Sequence, residues 1–260
     1  VKKLEEELQV KLFERNANEI TVTPLGEEIV RQAQSVLEQA ESIREIARRG
    51  KDPLAGSLRL GVIYTIGPYL LPDLVRQNIE KTPQMPLVLQ ENFTVKLLEE
   101  LRTGEIDCAI LAEPFPDTNL AIAPLYDEPF MAAVPSSHAL AARTSVTAEE
   151  LKKETLLLLG TGHCFRDHVL EVCPEFARFS SSAEGINKSF EGSSLETIKH
   201  MVAAGMGVTL VPRLGVPKSA LALSGQDTSA EQPSYIRYLP FEGHVPTRRV
   251  VLAWRRSFTR

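Results

Sequence analysis

Cysteine is scarce in this 260-residue chain, and three thiols are too few for the disulfide framework of a small secreted domain. Thiols so sparse are expected to be free, catalytic or sensory in a reducing compartment. Long apolar runs are missing too: none approaches the ~20 residues of a membrane span, and the charged start VKKLEEELQVKLFER does not read as a signal peptide. A cytoplasmic location without membrane association is expected. There is no basic excess either. The formal net charge is -5 and the pI near 5.7, so the chain as a whole offers no electrostatic footprint for nucleic acid, and any DNA contact is expected to be local. No repeat of solenoid length and no low-complexity tract occurs, and no pattern asks for a metal or other cofactor. Gly205-Met206-Gly207 comes after an expected helix and precedes an expected strand, the reverse of a dinucleotide fingerprint, so it reads as a helix stop. What is present is globular composition, 43% hydrophobic and 24% charged, in a length sufficient for one large or two ordinary domains.

The first residues hold Val1, Leu4, Leu8, Leu12 and Phe13 at helical spacing without an initial Met, so this helix is expected to continue from residues upstream. Asn16 to Glu19 reads as a turn and Ile20 to Thr23 as a short β ribbon. Thr23-Pro24 then starts a helix, Thr capping free amides and Pro preorganised at the first helical position. Its residues Leu25, Ile29, Ala33, Val36, Ala40, Ile43 and Ala47 form an apolar seam of about seven-residue period. The seam suits pairing with another helix; the alternative is an amphipathic helix lying on its own domain. The polar stretch Arg48 to Pro53 detaches it from the remainder of the chain and favours pairing.

From Leu58 the pattern alternates. Leu58 to Ile63 is a strand, Gly67 to Glu80 a helix, Pro86 to Gln90 a strand, Thr94 to Arg102 a helix and Asp107 to Leu111 a buried strand, which implies a mostly parallel α/β sheet. A long extended stretch, Leu120 to Val134, comes next. A second set runs from a strand at Thr155 to Leu159 through a helix near Cys164, a helix from Leu195 to Ala204 and the strand Val208 to Val211. Tyr235 to Phe241 and Arg248 to Trp254 supply late strands that return to the first set. The expected fold is therefore α/β, two lobes joined by crossover strands, in the layout of periplasmic binding proteins. The expected division is 1–23 as the end of a winged helix-turn-helix, 24–53 as linker helix and hinge, and 54–260 as regulatory domain. Within the last, lobe I covers about 58–134 plus 239–260 and lobe II about 135–238.

Particular residues carry a family resemblance. LEEELQVKLFERNANEITVTPLGEEIV resembles the end of the winged helix-turn-helix of LysR-type regulators, from the tail of the recognition helix to the start of the linker helix. Thr65-Ile66-Gly67-Pro68-Tyr69-Leu70-Leu71-Pro72, Asp107-Cys108-Ala109-Ile110-Leu111, Gly162-His163-Cys164-Phe165-Arg166-Asp167 with Cys173 nine positions on, and Ser194-Leu195-Glu196-Thr197 leading to Val202-Ala203-Ala204-Gly205 resemble the OxyR regulators, the peroxide-sensing branch of that family. The resemblance implies a transcription regulator rather than an enzyme, working as a homodimer or homotetramer on promoter DNA with RNA polymerase. It implies that hydrogen peroxide oxidises Cys164 to a sulfenic acid that condenses with Cys173, and that Thr65, Thr94 and Gly162 surround the peroxide. The resemblance also leads one to expect most of the DNA-reading helix upstream of Val1. Some members have a histidine where this chain has Ser189.

The cysteine spacing has a physical consequence of its own. On one continuous helix, residues nine apart are about 13.5 Å apart along the axis, on opposite faces, whereas a disulfide tolerates Cα atoms no more than about 7 Å apart. The segment between them must therefore refold for the pair to join, and Pro174 limits helix continuation past Cys173. Gly162-His163 reads as the approach to a helix N-terminus, where free amides favour a Cys164 thiolate, with Arg166 as a nearby cation; Cys173 fits the resolving role. Arg166 and Asp167 alternatively tie a solvated loop down, and His163 either orients the site or is a satisfied structural residue. Thr65 and Thr94 come just after strand ends, where α/β folds place ligand groups, though Thr there also serves as a helix cap. Cys108 reads as a small core hydrophobe. A LysR-type regulator with a metabolite in the interlobe cleft is the second reading, and a stand-alone thiol peroxidase a third, which the linker helix opposes.

Overall fold

The computed structural model describes residues 1–16, 19–49, 54, 56–116, 119–172, 191–192, 194–222 and 235–258. The chain divides into two compact units, Val1–Gly56 and Ser57–Thr259. In the first, helix α1 (Lys2–Leu8) is succeeded by the antiparallel pair β1 (Phe13–Asn16) and β2 (Glu19–Val22), then by the long helix α2 (Pro24–Arg49). Thr23 closes the start of α2 as its sequence anticipates: Oγ1 accepts from the Gly26 amide at 2.9 Å and donates to the Lys11 carbonyl at 2.8 Å. Leu25, Val36 and Ile43 of the apolar seam are 47, 56 and 67% exposed. Ala17 and Asn18 of the expected turn, and Gly50 to Pro53 of the expected linker, lie outside the described residues.

The second unit begins with β3 (Leu58–Ile63), α3 (Gly67–Lys81), β4 (Leu87–Asn92), α4 (Thr94–Thr103) and β5 (Cys108–Glu113). β3 runs parallel to both β4 and β5. Its residues and those of β5 are nearly all apolar and buried, the mark of parallel strands covered on both faces. The long strand β6 (Leu120–Pro135) then leaves this lobe, and β11 (Thr247–Arg255) returns to it, wedged antiparallel between β5 and β6. The sheet order is β10-β6-β11-β5-β3-β4, where β10 is Ile236–Pro240, and β9 (Thr209–Pro212) also pairs with β6.

Two cores result from this path. One gathers Leu60, Val62, Ile66, Leu97, Leu101, Leu111 and Val251; the other gathers Phe130, Val146, Leu151, Phe165, Ile198, Leu210 and Leu239. The second lobe adds α5 (Ala148–Leu151), the short pair β7 (Leu158–Leu159) and β8 (Glu191–Gly192), α6 (Cys164–Val172) and α7 (Leu195–Ala203). β6 serves both lobes, pairing with β11 as far as Pro129 and with β10 and β9 from Phe130 onward. Phe130 to Val134 therefore belong to the second core, as does Leu239, so both crossings differ by a few residues from the expected lobe limits of 134 and 239. Every residue of that stretch is apolar and buried, and the polar Asp127-Glu128 precedes it across Pro129. The expected strand Thr155 to Leu159 is likewise shorter, with Leu156 reduced to an isolated bridge to Val208. Gly205 adopts φ 83° just past α7, where only glycine turns a helix out without strain. Tyr69 of α3 ties the lobes by donating to Glu196 Oε1 of α7 at 2.5 Å.

Candidate functional site

Two strand ends of the first lobe and one helix start of the second converge on Cys164. β3 leads into Tyr64 and Thr65, β4 leads through Phe93 into Thr94, and α6 opens on Cys164 after Gly162 and His163. The carboxyl ends of parallel strands are where α/β sheets present ligand-binding groups. With Ile63 and Asn92, these residues line a pocket of about 170 Å³, including its space open to solvent. Cys164 sits on a second-lobe helix yet packs against the first-lobe core, so the site is built from both lobes.

Cys164 is a free thiol and half-buried. Burial pushes its pKa above the ordinary thiol value; the Thr94 hydroxyl, the Arg248 guanidinium and the Phe165 amide pull the other way without overcoming it. The helix N-terminus and Arg248 thus favour the thiolate, while desolvation opposes it and sets the direction of the shift. Thr94 is 8% exposed, and its Oγ1, which meets no regular hydrogen-bond geometry, has the thiol as an electrostatic neighbour. Asn92 is held beside it, donating to Glu100 Oε1 at 3.3 Å and accepting from the Phe93 amide at 2.9 Å.

The cation that acts on the thiol is Arg248, not the expected Arg166. Arg248 is buried in β11; Nε and Nη2 donate to Glu128 Oε2 at 2.9 and 2.7 Å, Nη1 donates to Thr65 Oγ1 at 2.8 Å and Nη2 to the Thr65 carbonyl at 3.1 Å. Its guanidinium also lies over the Phe165 ring, 5.2 Å from the centroid. Thr65 Oγ1 accepts from Arg248, which leaves the one hydroxyl proton to be donated elsewhere. Arg166 Nη1 instead donates to the Leu159 carbonyl at 2.8 Å, pinning β7 to α6, and Asp167 is exposed.

His163 is 6% exposed and meets the rings of Phe93 and Tyr64 edge-on, with centroids 4.8 and 5.9 Å away. Gly162 has φ 95°, and a Cβ there would stand 3.3 Å from Phe93 Cδ1, so glycine is needed for both backbone and space. α6 docks through Phe165, His168 and Val169; Phe165 packs edge-on against Phe130 at 5.1 Å, and His168 Nε2 bonds the Glu113 carbonyl at 2.8 Å. Burial, aided by Arg248, holds His168 below the usual imidazole pKa despite that carbonyl. Cys108 is 7% exposed within β5, a core position. Cys173 and Ser189 lie outside the described residues. Among the described residues no group of three His, Cys, Asp or Glu is placed to hold a metal ion, and no helix is long and apolar enough to cross a membrane. Sequence reasoning missed Arg248, Glu128, Tyr64 and Phe93. For Arg248 a signal existed, since strand alternation puts it on the inward face with Val250.

A pair of α/β lobes built around such a pocket is a LysR-type sensor, and residues 51–260 match the LysR substrate binding domain family. A hydrogen peroxide-inducible genes activator of Pectobacterium carotovorum is 35% identical over 255 residues, covering 98% of this chain and 79% of that protein. Full-length OxyR of Pseudomonas aeruginosa, a cysteine-to-aspartate variant, is 48% identical with a TM-score of 0.67, covering 100% of this chain and 82% of that one. A cysteine-to-serine OxyR mutant of Corynebacterium glutamicum with H2O2 bound is 32% identical with a TM-score of 0.69, covering 99% of this chain and 76% of that one. The chain belongs to the LysR family of transcription regulators and, within it, to the OxyR group of hydrogen peroxide-inducible genes activators.

Proposed function

We propose that this chain registers hydrogen peroxide by oxidation of Cys164 and formation of a Cys164–Cys173 disulfide. The Cys164 thiolate sulfur attacks one peroxide oxygen, the O–O bond breaks, and the departing hydroxide takes up a proton to leave as water. Sulfur is oxidised to the sulfenic acid and peroxide is reduced. The Cys173 thiol then displaces the sulfenic oxygen, again as water, and the S–S bond forms. The Thr65 and Thr94 hydroxyls hydrogen-bond the peroxide, Gly162 gives it backbone clearance, and Arg248 steadies Thr65 while favouring negative charge at sulfur. His163 helps to orient the site.

The observation that carries the switch is that α6 runs unbroken from Cys164 to Val172. Its ends are about 12 Å apart along the axis. A residue bonded to Val172 has its Cα about 3.8 Å away, so no position of Cys173 approaches Cys164 closer than about 8 Å while the helix is intact. A disulfide accepts roughly 7 Å. Oxidation must therefore unwind part of α6.

The exposed seam of α2 supports a homodimer contact, and assembly into homotetramers on promoter DNA with RNA polymerase, in the cytoplasm, is inferred from the relatives being gene activators. Changed packing of the oxidised second lobe then alters how the assembly sits on DNA. Peptide mapping under non-reducing conditions, before and after about one equivalent of hydrogen peroxide, tests the proposal. A Cys164–Cys173 linked peptide is expected, absent in Cys164→Ser; a Cys108-containing disulfide, or no thiol loss, overturns it.

A further inference from the structure

Three rings wall the pocket, and the peroxide chemistry proposed for Cys164 uses none of them at its reacting atoms. Phe93 is their hub: its ring is 5.2 Å from that of Tyr64 and 4.8 Å from that of His163, centroid to centroid, at interplanar angles of 75° and 69°. Each ring therefore presents an edge to the next, the arrangement that aromatic quadrupoles favour and that fixes mutual orientation. Gly162 closes the remaining side against the Phe93 ring.

The placement is unusual. Phe93 occupies the N-cap position of α4, which side chains with an acceptor oxygen favour, and it makes no cap bond there. Phe93 is 37% and Tyr64 38% exposed. An aromatic ring at a helix cap breaks a local sequence preference, and such breaks concentrate at functional sites. Both rings sit next in sequence to the two hydroxyls of the pocket, Thr65 and Thr94, so they stand at its margin rather than in its floor.

We propose that Phe93 and Tyr64, braced by His163, form a steric filter that admits hydrogen peroxide to Cys164 and excludes hydroperoxides bearing a bulky organic group. The pocket they line is narrow, with about 170 Å³ of empty space even when its open part is counted, and an aryl substituent finds no place beside the rings. An organic hydroperoxide would undergo the same step: sulfur bonds the terminal oxygen, the O–O bond breaks, and the alkoxide leaves and is protonated to the alcohol. Selectivity then comes from access, not from the chemistry of the thiol.

This inference rests on the peroxide reading of Cys164, and one experiment separates the two. Thiol loss at Cys164 is followed in the full chain under pseudo-first-order excess of hydrogen peroxide or of cumene hydroperoxide. The wild type is expected to prefer hydrogen peroxide by about a hundredfold or more, and Phe93→Ala to lower that ratio by about tenfold or more, the scale of steric discrimination in a pocket. Val95→Ala, an exposed neighbour on α4, leaves the ratio where it was. If Phe93→Ala does not fold, Phe93→Leu, which keeps apolar bulk and removes the ring, is judged by the same ratio. A wild-type thiol inert to hydrogen peroxide overturns the peroxide reading itself. A reactive wild type without preference, or a ratio unmoved by loss of the ring, overturns the filter alone.

Discussion

Replacing Arg248 with methionine separates what this residue does for stability from what it does for the thiol. The substitution keeps most of the volume and removes every hydrogen bond of the guanidinium, leaving Glu128, 2% exposed, with only the Leu214 amide at 3.0 Å. Breaking one side of a buried ion pair costs about 3–5 kcal/mol, against a total domain stability of roughly 5–15 kcal/mol. For a unit of this size that is roughly 6–20 °C in Tm. The double variant Arg248→Met with Glu128→Leu removes the orphaned charge too, and recovers much of the loss. Its reaction with peroxide does not recover, because Thr65 has lost the donor that orients it and the thiol has lost the cation that lowers its pKa. A rate lower on the order of tenfold to a hundredfold is expected in both variants. Thermal melts and the rate of Cys164 thiol loss under excess hydrogen peroxide are the readouts. A single variant destabilised by less than about 1 kcal/mol, or a double variant that reacts like the wild type, would refute the assignment of these roles.

Two further outcomes concern ionisation. Burial holds the resting Cys164 thiol above its ordinary pKa, so the rate of its oxidation should keep climbing as pH passes about 8.5, the free-thiol value, with no plateau between neutrality and that point; a plateau below about pH 8 contradicts the assignment. His168 is held below the usual imidazole pKa. The unfolded chain then binds the proton more readily, so this residue's contribution is present above about pH 6.5 and is lost as pH falls below that toward the depressed folded value. Urea midpoints compared at about pH 7.5 and about pH 5.5 should drop on acidification, and drop less in His168→Gln; an equal drop in both proteins removes His168 from the account.

The elements of the first lobe were legible because local rules agree there. Thr94 after a strand, Gly104 ten residues on and Leu97, Leu98 and Leu101 between them define α4 without tertiary help. The cysteine motif was legible in the same way, since Gly162, His163 and Cys164 are contiguous. Arg248 was not, because its partners Thr65 and Glu128 lie 183 and 120 residues away and only the folded sheet brings them together. Arg248 and Arg249 look equivalent in sequence, yet strand alternation sends one into the core and the other to an exposed pair with Asp127. The direction in which the fold shifts the thiol was not legible for a related reason. The helix start that lowers its pKa can be read from sequence, while the desolvation that raises it depends on how two lobes close around it. Phe93 and Tyr64 carry no local signal, and only the fold brings their rings together.

The dependence of the disulfide on unwinding of α6 is tested most directly by amide hydrogen exchange in the full chain, reduced and after about one equivalent of hydrogen peroxide. In the reduced protein the amides of His168 to Val172, which close the helix hydrogen bonds, should be protected. In protein shown by mass to carry the Cys164–Cys173 bond, that protection should be lost while the amides of β3 and β5 keep theirs. Oxidised protein whose α6 amides exchange as slowly as before would contradict the account.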